Sequence, residues 1–216
     1  MKQYKFFIVS LFIAVSFASR VPNLFSQTPT RIIVPAEFSN KNIQYPCVSF
    51  DNKTVIFVIE ENAINNLYEA EVSLQDSTII FASFQKVEFE NMQLNADNSL
   101  KNPVYNHDAN GIYFAAKFTD SRGEHDIYYS ERKGDKWLQP VNLGDSINTN
   151  LSEESPSVTS DNNNLFFTRK TLNPALKDVQ CHTIFYAKKN NGEWKTPVEL
   201  SSTINTGCEA YSFIAR

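Results

Sequence analysis

From residue 44 onward, short apolar runs alternate along the chain with polar clusters of Asn, Asp, Ser and Gly. The runs are rich in Val, Ile, Phe and Tyr, which suit the half-buried surface of a β-strand. The clusters between them contain residues that tolerate the left-handed backbone of tight hairpins. No segment past residue 30 shows a helical stripe of ten residues or more. The pattern therefore predicts an all-β chain.

The pattern repeats with a long period. The line Trp-x-x-Pro-Val-x-Leu, followed by Ile-Asn-Thr, occurs at residues 137–149 and again 57 residues later, at residues 194–206. A proline, an Asn/Asp-rich turn and two aromatic or branched runs precede this line in each unit. The prolines are Pro46, Pro103 and Pro156, spaced 57 and then 53 residues apart. Such a period indicates one supersecondary unit used repeatedly.

Each unit is predicted to contain four short strands. Pro140 and Pro197 fall where an outermost strand would lie, and an edge strand tolerates a missing N–H. The first unit has only a weak echo of the Trp-x-x-Pro line, at Phe84 and Val87. Repeated four-stranded antiparallel units predict a β-propeller. The predicted blades are residues 44–100, 101–152 and 153–207, with a partial fourth at residues 208–216, in a propeller domain over residues 27–216.

The order of these motifs resembles the WD-like propeller repeat of TolB-type proteins. The resemblance covers residues 44–216 and is strongest from residue 101. It departs from the family in its turns, since Asp-Gly-Lys is replaced by Asp-Asn-Lys at residues 51–53, Asp-Ala-Asn-Gly at 108–111 and Asp-Asn-Asn-Asn at 161–164. The resemblance implies a propeller in an exported protein of Gram-negative bacteria, where such repeats are sometimes fused to an OmpA-like peptidoglycan-binding domain. It implies no particular reaction, because the family is defined by blade architecture.

The first 26 residues are predicted to be a signal peptide. Lys2 and Lys5 precede a 13-residue apolar stretch at residues 6–18, which is too short to span a bilayer comfortably. Cleavage is expected near Ser19 or Gln27, and the alternative is an uncleaved N-terminal anchor. No membrane span is expected after cleavage, and the protein is predicted to be periplasmic, associated with the outer membrane or secreted.

Charge restricts the possible partners. The chain has 20 basic and 24 acidic residues and a formal charge of −4. The charged residues of the first 26 are Lys2, Lys5 and Arg20, so their removal takes the charge from −4 to −7. A nucleic-acid partner requires a basic face and is therefore not expected.

Cys47, Cys181 and Cys208 are an odd number in a compartment that permits disulfides. Cys47 follows the blade-opening proline and is expected to face the core. Cys181 and Cys208 lie in segments that resemble loops and could pair, with buried or free thiols as the alternative. No Cys-x-x-Cys or paired-His spacing suggests a zinc site.

The number of repeats is unusual for a propeller. About 190 residues at about 55 per unit give three blades and a fragment, whereas closed propellers typically have four to eight. We expect the ring to be incomplete, as in a truncated product or a partial gene model of a longer propeller. The alternative is that residues 31–43 supply a strand that completes the last blade.

Candidate catalytic groups are sparse. His107, His125 and His182 are each expected to be loop histidines, and no nucleophile elbow or phosphate-binding loop is present. Glu153-Glu154 and a second charged cluster could line a ligand or cation site or simply be solvated; the second cluster is Asp120, Arg122, Glu124 and Asp126. Asp126 is expected to be structural because it begins an aromatic strand. No cofactor, metal or catalytic residue is predicted.

Two functions are therefore considered. The first is a noncatalytic exported scaffold that binds a protein or cell-envelope partner. The second is the propeller part of a glycan-processing or peptidase-type hydrolase or lyase. The first is favoured, because repeat scaffolds usually present surfaces rather than a fixed catalytic arrangement. Trp137 and Trp194 are expected to be structural positions that pack between blades or against an outer strand.

Overall fold

In the computed structural model of the protein, residues 31–75, 78–173 and 179–208 are described. These residues form fifteen β-strands and one short 3₁₀ helix, Ala36–Phe38. The predicted signal peptide and residues 209–216 of the predicted fourth blade lie outside the described residues. Within them, the prediction of an all-β chain built from propeller blades is confirmed by three consecutive, largely antiparallel sheets.

The first sheet, blade 1, has the order β1-β5-β4-β3-β2. Its strands are β1 (Arg31–Ile33), β2 (Ile43–Val48), β3 (Thr54–Glu61), β4 (Ile64–Gln75) and β5 (Thr78–Lys86). Strand β1 pairs with β5 in parallel, with Ile32 opposite Ile79. The N-terminal strand therefore extends the first blade, and the alternative that it completes the last blade is wrong.

Blade 2 places β6, β7 and β8 in order from its inner edge, and blade 3 places β11, β12 and β13 in the same way. The strands of blade 2 are β6 (Lys101–Tyr105), β7 (Gly111–Ala116), β8 (Asp126–Lys133), β9 (Lys136–Trp137) and β10 (Val141–Asn142). Those of blade 3 are β11 (Glu153–Val158), β12 (Asn164–Asn173), β13 (Val179–Asn190), β14 (Glu193–Trp194) and β15 (Val198–Glu199). The inner strand β6 of blade 2 lies next to β2 on one side and β11 on the other.

The outermost strand of blades 2 and 3 differs from the prediction of one strand containing a proline. It is divided into two pieces of two residues each, β9 and β10 in blade 2 and β14 and β15 in blade 3. Pro140 and Pro197 lie between the two pieces. Proline has no backbone N–H to donate to a strand ladder, so the outer strand is interrupted at the proline.

The blade-opening proline marks a β-bulge in every blade. Tyr45, Asn102 and Ser155, the residues before the three prolines, have φ of 52°, 49° and 53°. The pairing of the inner strand shifts register at each of these sites. A bulge accommodates one unpaired residue and bends its strand. The proline spacing in the sequence is therefore the spacing of three equivalent bends.

The hydrophobic cores lie between the blades because successive strand residues point to opposite faces. Ile56 and Val58 of β3 face blade 2, whereas Val55, Phe57 and Ile59 face the N-terminal segment. The core between blades 2 and 3 is formed chiefly by Tyr113, Ile127, Ile147, Val158, Leu165, Phe167 and Phe185. Each blade is thus stabilised by its neighbours.

The recurring Ile-Asn-Thr motif closes a blade with a side-chain amide. Asn148 accepts a hydrogen bond from the N–H of Ile127 at 2.8 Å and donates to its carbonyl at 3.0 Å. Asn205 makes the same two bonds to Ile184, at 2.9 and 3.1 Å. The amide therefore substitutes for a neighbouring strand at this point of β8 and of β13.

Candidate functional site

The junctions between neighbouring blades share one design. Trp137 of blade 2 packs in the core between blades 1 and 2, and Trp194 of blade 3 packs against the core between blades 2 and 3. A cation lies over each indole ring: Arg132 at 4.3 Å from the Trp137 ring centre and Lys189 at 4.5 Å from that of Trp194. The junctions can therefore be compared residue by residue.

At the first junction a carboxylate neutralises the cation. Glu69 of β4 forms an ion pair with Arg132 and accepts hydrogen bonds from the Tyr105 hydroxyl at 2.6 Å and the Trp137 Nε1 at 3.3 Å. Burial, and then the negative charge of Glu69, raise the pKa of Tyr105 well above its usual value. The polar groups at this junction satisfy one another.

A chain segment also covers the tryptophan of the first junction. Phe89 pairs with Trp137 in a parallel β-bridge, and the N–H of Glu90 donates to the Trp137 carbonyl at 2.8 Å. Only 5% of Phe89 and 4% of Trp137 remain exposed. A cleft of about 650 Å³ remains beside this segment, and Trp137 is among its lining residues, so the segment covers most but not all of the residue.

Among the described residues, the second junction has no such cover, because its linker is shorter. Val87 and Leu143 occupy equivalent positions. The N–H of Val87 donates to the carbonyl of Leu67 at 2.9 Å, and the N–H of Leu143 donates to the carbonyl of Ile127 at 3.1 Å. From this point to the blade-opening proline, the linker runs from 87 to 103 at the first junction and from 143 to 156 at the second, so it is three residues shorter. It turns at once at Gly144, whose φ is +79°.

The result is a cleft of about 690 Å³ between blades 2 and 3; we call it the open cleft. Its aromatic wall consists of Tyr113, Tyr129 and Trp194, with ring centres 4.7 Å apart for the two tyrosines and 6.5 Å for Tyr113 and Trp194. Lys189 and Lys195 supply positive charge, and Glu193, which pairs with Lys195 at 3.3 Å, also lines the cleft. The amides on its lining are those of Asn106, Asn142 and Asn162.

Gly111 makes room for one of these aromatic rings. A Cβ atom at this position would lie 2.6 Å from the Tyr129 ring, closer than real Cβ contacts. Glycine in β7 therefore lets Tyr129, on the neighbouring strand β8, lie over the backbone and face the cleft. This site was not predicted from the sequence, although Gly111 and the shorter linker are both visible there.

Burial changes the acid–base properties of the lining. Desolvation lowers the pKa of Lys189 and raises the pKa values of Tyr113 and Tyr129. The tyrosines therefore stay protonated as hydrogen-bond donors, and the ammonium of Lys189 is held in partly desolvated surroundings. Aromatic faces, amides and a cation together suit a ligand that offers an apolar group and a negative charge.

The charged clusters flagged in the sequence do not line this cleft. Asp126 is fully buried and accepts hydrogen bonds from the backbone N–H groups of Arg122 and Gly123, at 3.0 and 3.2 Å, and from the Asn142 amide at 2.8 Å. Glu153 is also fully buried. It pairs with Arg169 at 2.7 Å.

The remaining members of these clusters are bonded as well. Asp120 accepts from the Tyr128 hydroxyl at 2.8 Å, Arg122 pairs with Asp145, and Glu124 pairs with Lys170 at 3.1 Å. Each of these three side chains is therefore bonded to another group of the protein. Among the described residues, no group of three or more His, Cys, Asp or Glu side chains is arranged to hold a metal ion.

The three histidines lie in different places. His125 is 4% exposed, and its Nδ1 lies 3.2 Å from the Ser152 Oγ and 3.3 Å from the Glu154 Oε1. Both partners face the same ring nitrogen, so the three groups do not form a serine–histidine–acid relay. His107 packs against Phe50, with ring centres 4.0 Å apart and ring planes tilted by 51°. His182 lies in β13, so the expectation that it is a loop histidine is wrong.

The cysteine pairing left open by the sequence is present. Cys181 of β13 forms a disulfide with Cys208, which follows β15. Cys47 is partly buried and packs against the core between blades 1 and 2.

Comparison with known proteins gives likenesses of fold. No protein-family model matches the chain, and no curated protein matches it. TolB from Acinetobacter baumannii is 15% identical, with a TM-score of 0.46 over 72% of this chain and 32% of that one. A TolB-assigned protein from Agrobacterium tumefaciens is 12% identical, with a TM-score of 0.47 over 72% of this chain and 48% of that one.

A third similar structure is hydrazine synthase from Kuenenia stuttgartiensis, 11% identical with a TM-score of 0.39 over 66% of this chain and 39% of that one. The chain spans about a third to a half of the length of the two TolB structures. Within the described part of the chain, no helix has the length and apolar character needed to cross a bilayer. The blade topology shows that the chain has a β-propeller fold, similar to that of TolB.

Proposed function

We propose that the protein is a noncatalytic, exported propeller scaffold that binds a protein partner of the cell envelope through the open cleft. The observation that supports this most directly is the difference between the two junctions. Trp137 is largely covered by the chain itself, whereas Trp194 is only partly buried and shares the cleft with two tyrosines and a lysine. Tryptophan and tyrosine are typical anchors of protein interfaces.

Sequence features support the location. The basic head and apolar stretch of residues 1–26 are typical of a signal peptide, and the disulfide between Cys181 and Cys208 suits an oxidising compartment. We therefore propose that the protein lies in the periplasm or at the outer membrane and binds its partner in that compartment. We assign no catalytic role, because Asp126 and Glu153 are bonded to other protein groups and His125 lies against Ser152 and Glu154.

The proposal is tested by site-specific photo-cross-linking in the producing cells. A photoreactive residue replaces Lys195 on the exposed rim of the cleft, and the matched control replaces Lys53, an exposed lysine in the β2–β3 turn. We expect a discrete cross-linked protein from position 195 and none from position 53. The same products from both positions, or none from either, would contradict a role for the cleft.

A further inference from the structure

We propose that the open cleft binds an extended peptide in which a phenylalanine is flanked by glutamates, seated on Trp194 as residues 87–90 are seated on Trp137. This inference rests on the proposed function and specifies the partner's chemistry. Residues 87–90 read Val-Glu-Phe-Glu, so the chain contains an example of the segment that this kind of junction accepts.

The first junction shows how such a segment is held. Phe89 stacks on Phe114 with ring centres 5.6 Å apart, and the N–H of the next residue donates to the Trp137 carbonyl at 2.8 Å. One apolar anchor and one backbone bond to Trp137 thus hold the segment beside Trp137 in an isolated β-bridge. Short strand addition of this kind is a common mode of peptide recognition.

The second junction repeats the tryptophan and the cation of the first, whereas Phe167, at the position of Phe114, is already fully buried in one cluster with Ile147 of the linker. Trp194 pairs with Lys189 of β13 as Trp137 pairs with Arg132 of β8. The linker turns away at Gly144, and among the described residues none occupies the place that Glu90 takes on Trp137. The ring and backbone of Trp194 are therefore available to another chain.

Charge specifies the acidic flank. Tyr129 of blade 2 occupies the position that Glu69 has in blade 1. Each is the third residue of the aromatic strand motif, which spans residues 67–70 in blade 1 and residues 127–130 in blade 2. Arg132 pairs with Glu69, but no carboxylate of the described residues lies within ion-pair distance of Lys189. A partly desolvated cation without an acid favours a ligand that brings a carboxylate.

The test uses a synthetic peptide with the sequence of residues 86–91, Lys-Val-Glu-Phe-Glu-Asn, acetylated and amidated at its ends. The chain has two tryptophans, and Trp137 is largely covered, so a change in fluorescence reports chiefly on Trp194. We expect a saturable change on titration and an enthalpy of binding by calorimetry. Replacing the peptide phenylalanine with alanine should abolish both.

Paired protein variants locate the site. Lys189→Gln should weaken peptide binding about fivefold, as expected for loss of one charged contact. Lys188→Gln, which changes the neighbouring exposed lysine, should have no effect, and Lys189→Arg should retain binding. Equal effects of the glutamine variants at 188 and 189, or no saturable binding to the wild-type protein at millimolar peptide, would overturn the inference.

The two proposals can fail separately. A partner cross-linked from position 195 together with no peptide binding overturns the peptide inference and leaves the proposed function standing. No cross-link and no peptide binding would overturn both.

Discussion

Gly123, in the loop between β7 and β8, lies close to the linker that joins blades 2 and 3. A Cβ atom at this position would overlap the backbone carbonyl of Leu151, and the N–H of Glu124 already donates to that carbonyl at 3.1 Å. We expect Gly123→Ala to lower the free energy of unfolding by about 1–3 kcal/mol, because the backbone must move to admit a methyl group. Urea denaturation measures the change.

Gly207 provides the matched control for this variant. A Cβ atom there would meet no atom within 4 Å, so Gly207→Ala should leave the free energy of unfolding nearly unchanged. Equal unfolding midpoints for the two variants would show that the junction at Gly123 is not tight.

His125 makes stability depend on pH. Burial, followed by the charge of Lys101, lowers its pKa in the folded state, and this outweighs Glu154 and Glu124, which raise it. The unfolded chain, with a histidine pKa of about 6.5, therefore takes up the proton first as the pH falls. The stability that neutral His125 contributes is therefore fully present above that pKa and is lost as the pH falls below it.

We therefore expect the wild-type protein to lose more stability than His125→Gln when the pH is lowered from about 7.5 to 5.5. The contribution of carboxylates is common to both proteins and largely cancels in the difference. Denaturant unfolding at the two pH values measures it, and parallel losses would rule out a contribution from His125.

The positions of several residues in loops or strands were predicted correctly from the sequence, but their surroundings were not. The expectation that His125 is a loop histidine holds for its position before β8, yet the ring is buried. Its burial arises next to Ser152 and Glu154, which approach from the start of blade 3. Such contacts depend on blade packing, which the local pattern does not contain.

At the level of elements, the two tryptophans occupy equivalent positions with unequal burial. We expect Trp137→Ala to cost about 3–5 kcal/mol of unfolding free energy, because a fully packed indole is removed. Trp194→Ala should cost less, about 1–2 kcal/mol, because part of its surface already faces solvent. Equal losses in thermal or denaturant unfolding would show that the cleft closes over Trp194 in solution.

The predicted order of strands within each blade agrees with the structure because the apolar runs and hairpin turns are local signals. The division of the outer strand around Pro140 and Pro197 was only partly visible, since the proline signalled a missing donor but not a break. The parallel pairing of β1 with β5 was not predictable. It joins segments that are distant in sequence, and an apolar run does not specify its partner.

At the level of the whole molecule, the disulfide ties the end of the described chain to β13. It closes a span of 27 residues. Replacing both Cys181 and Cys208 with alanine should lower the free energy of unfolding by about 2–4 kcal/mol, since the unfolded chain gains freedom. Denaturation with and without reductant measures this, and the reduced wild-type protein should match the double variant.

Linker length decides which junction is open. The difference between the segments 87–103 and 143–156 could have been counted, but its meaning depends on knowing that Phe89 lies on Trp137. The repeat was recognised from its common features, whereas the candidate site arises from a place where two copies differ.

The amide bonds of Asn148 and Asn205 have a consequence for protein engineering. A blade is structurally complete only after this amide has bonded to its own strand, six residues beyond the end of β10 at Asn142. A transplantable cassette therefore ends after residue 149 or 206 rather than at the outer strand. Chimaeric or lengthened propellers joined at these positions would keep each blade together with the asparagine that bonds to its strand.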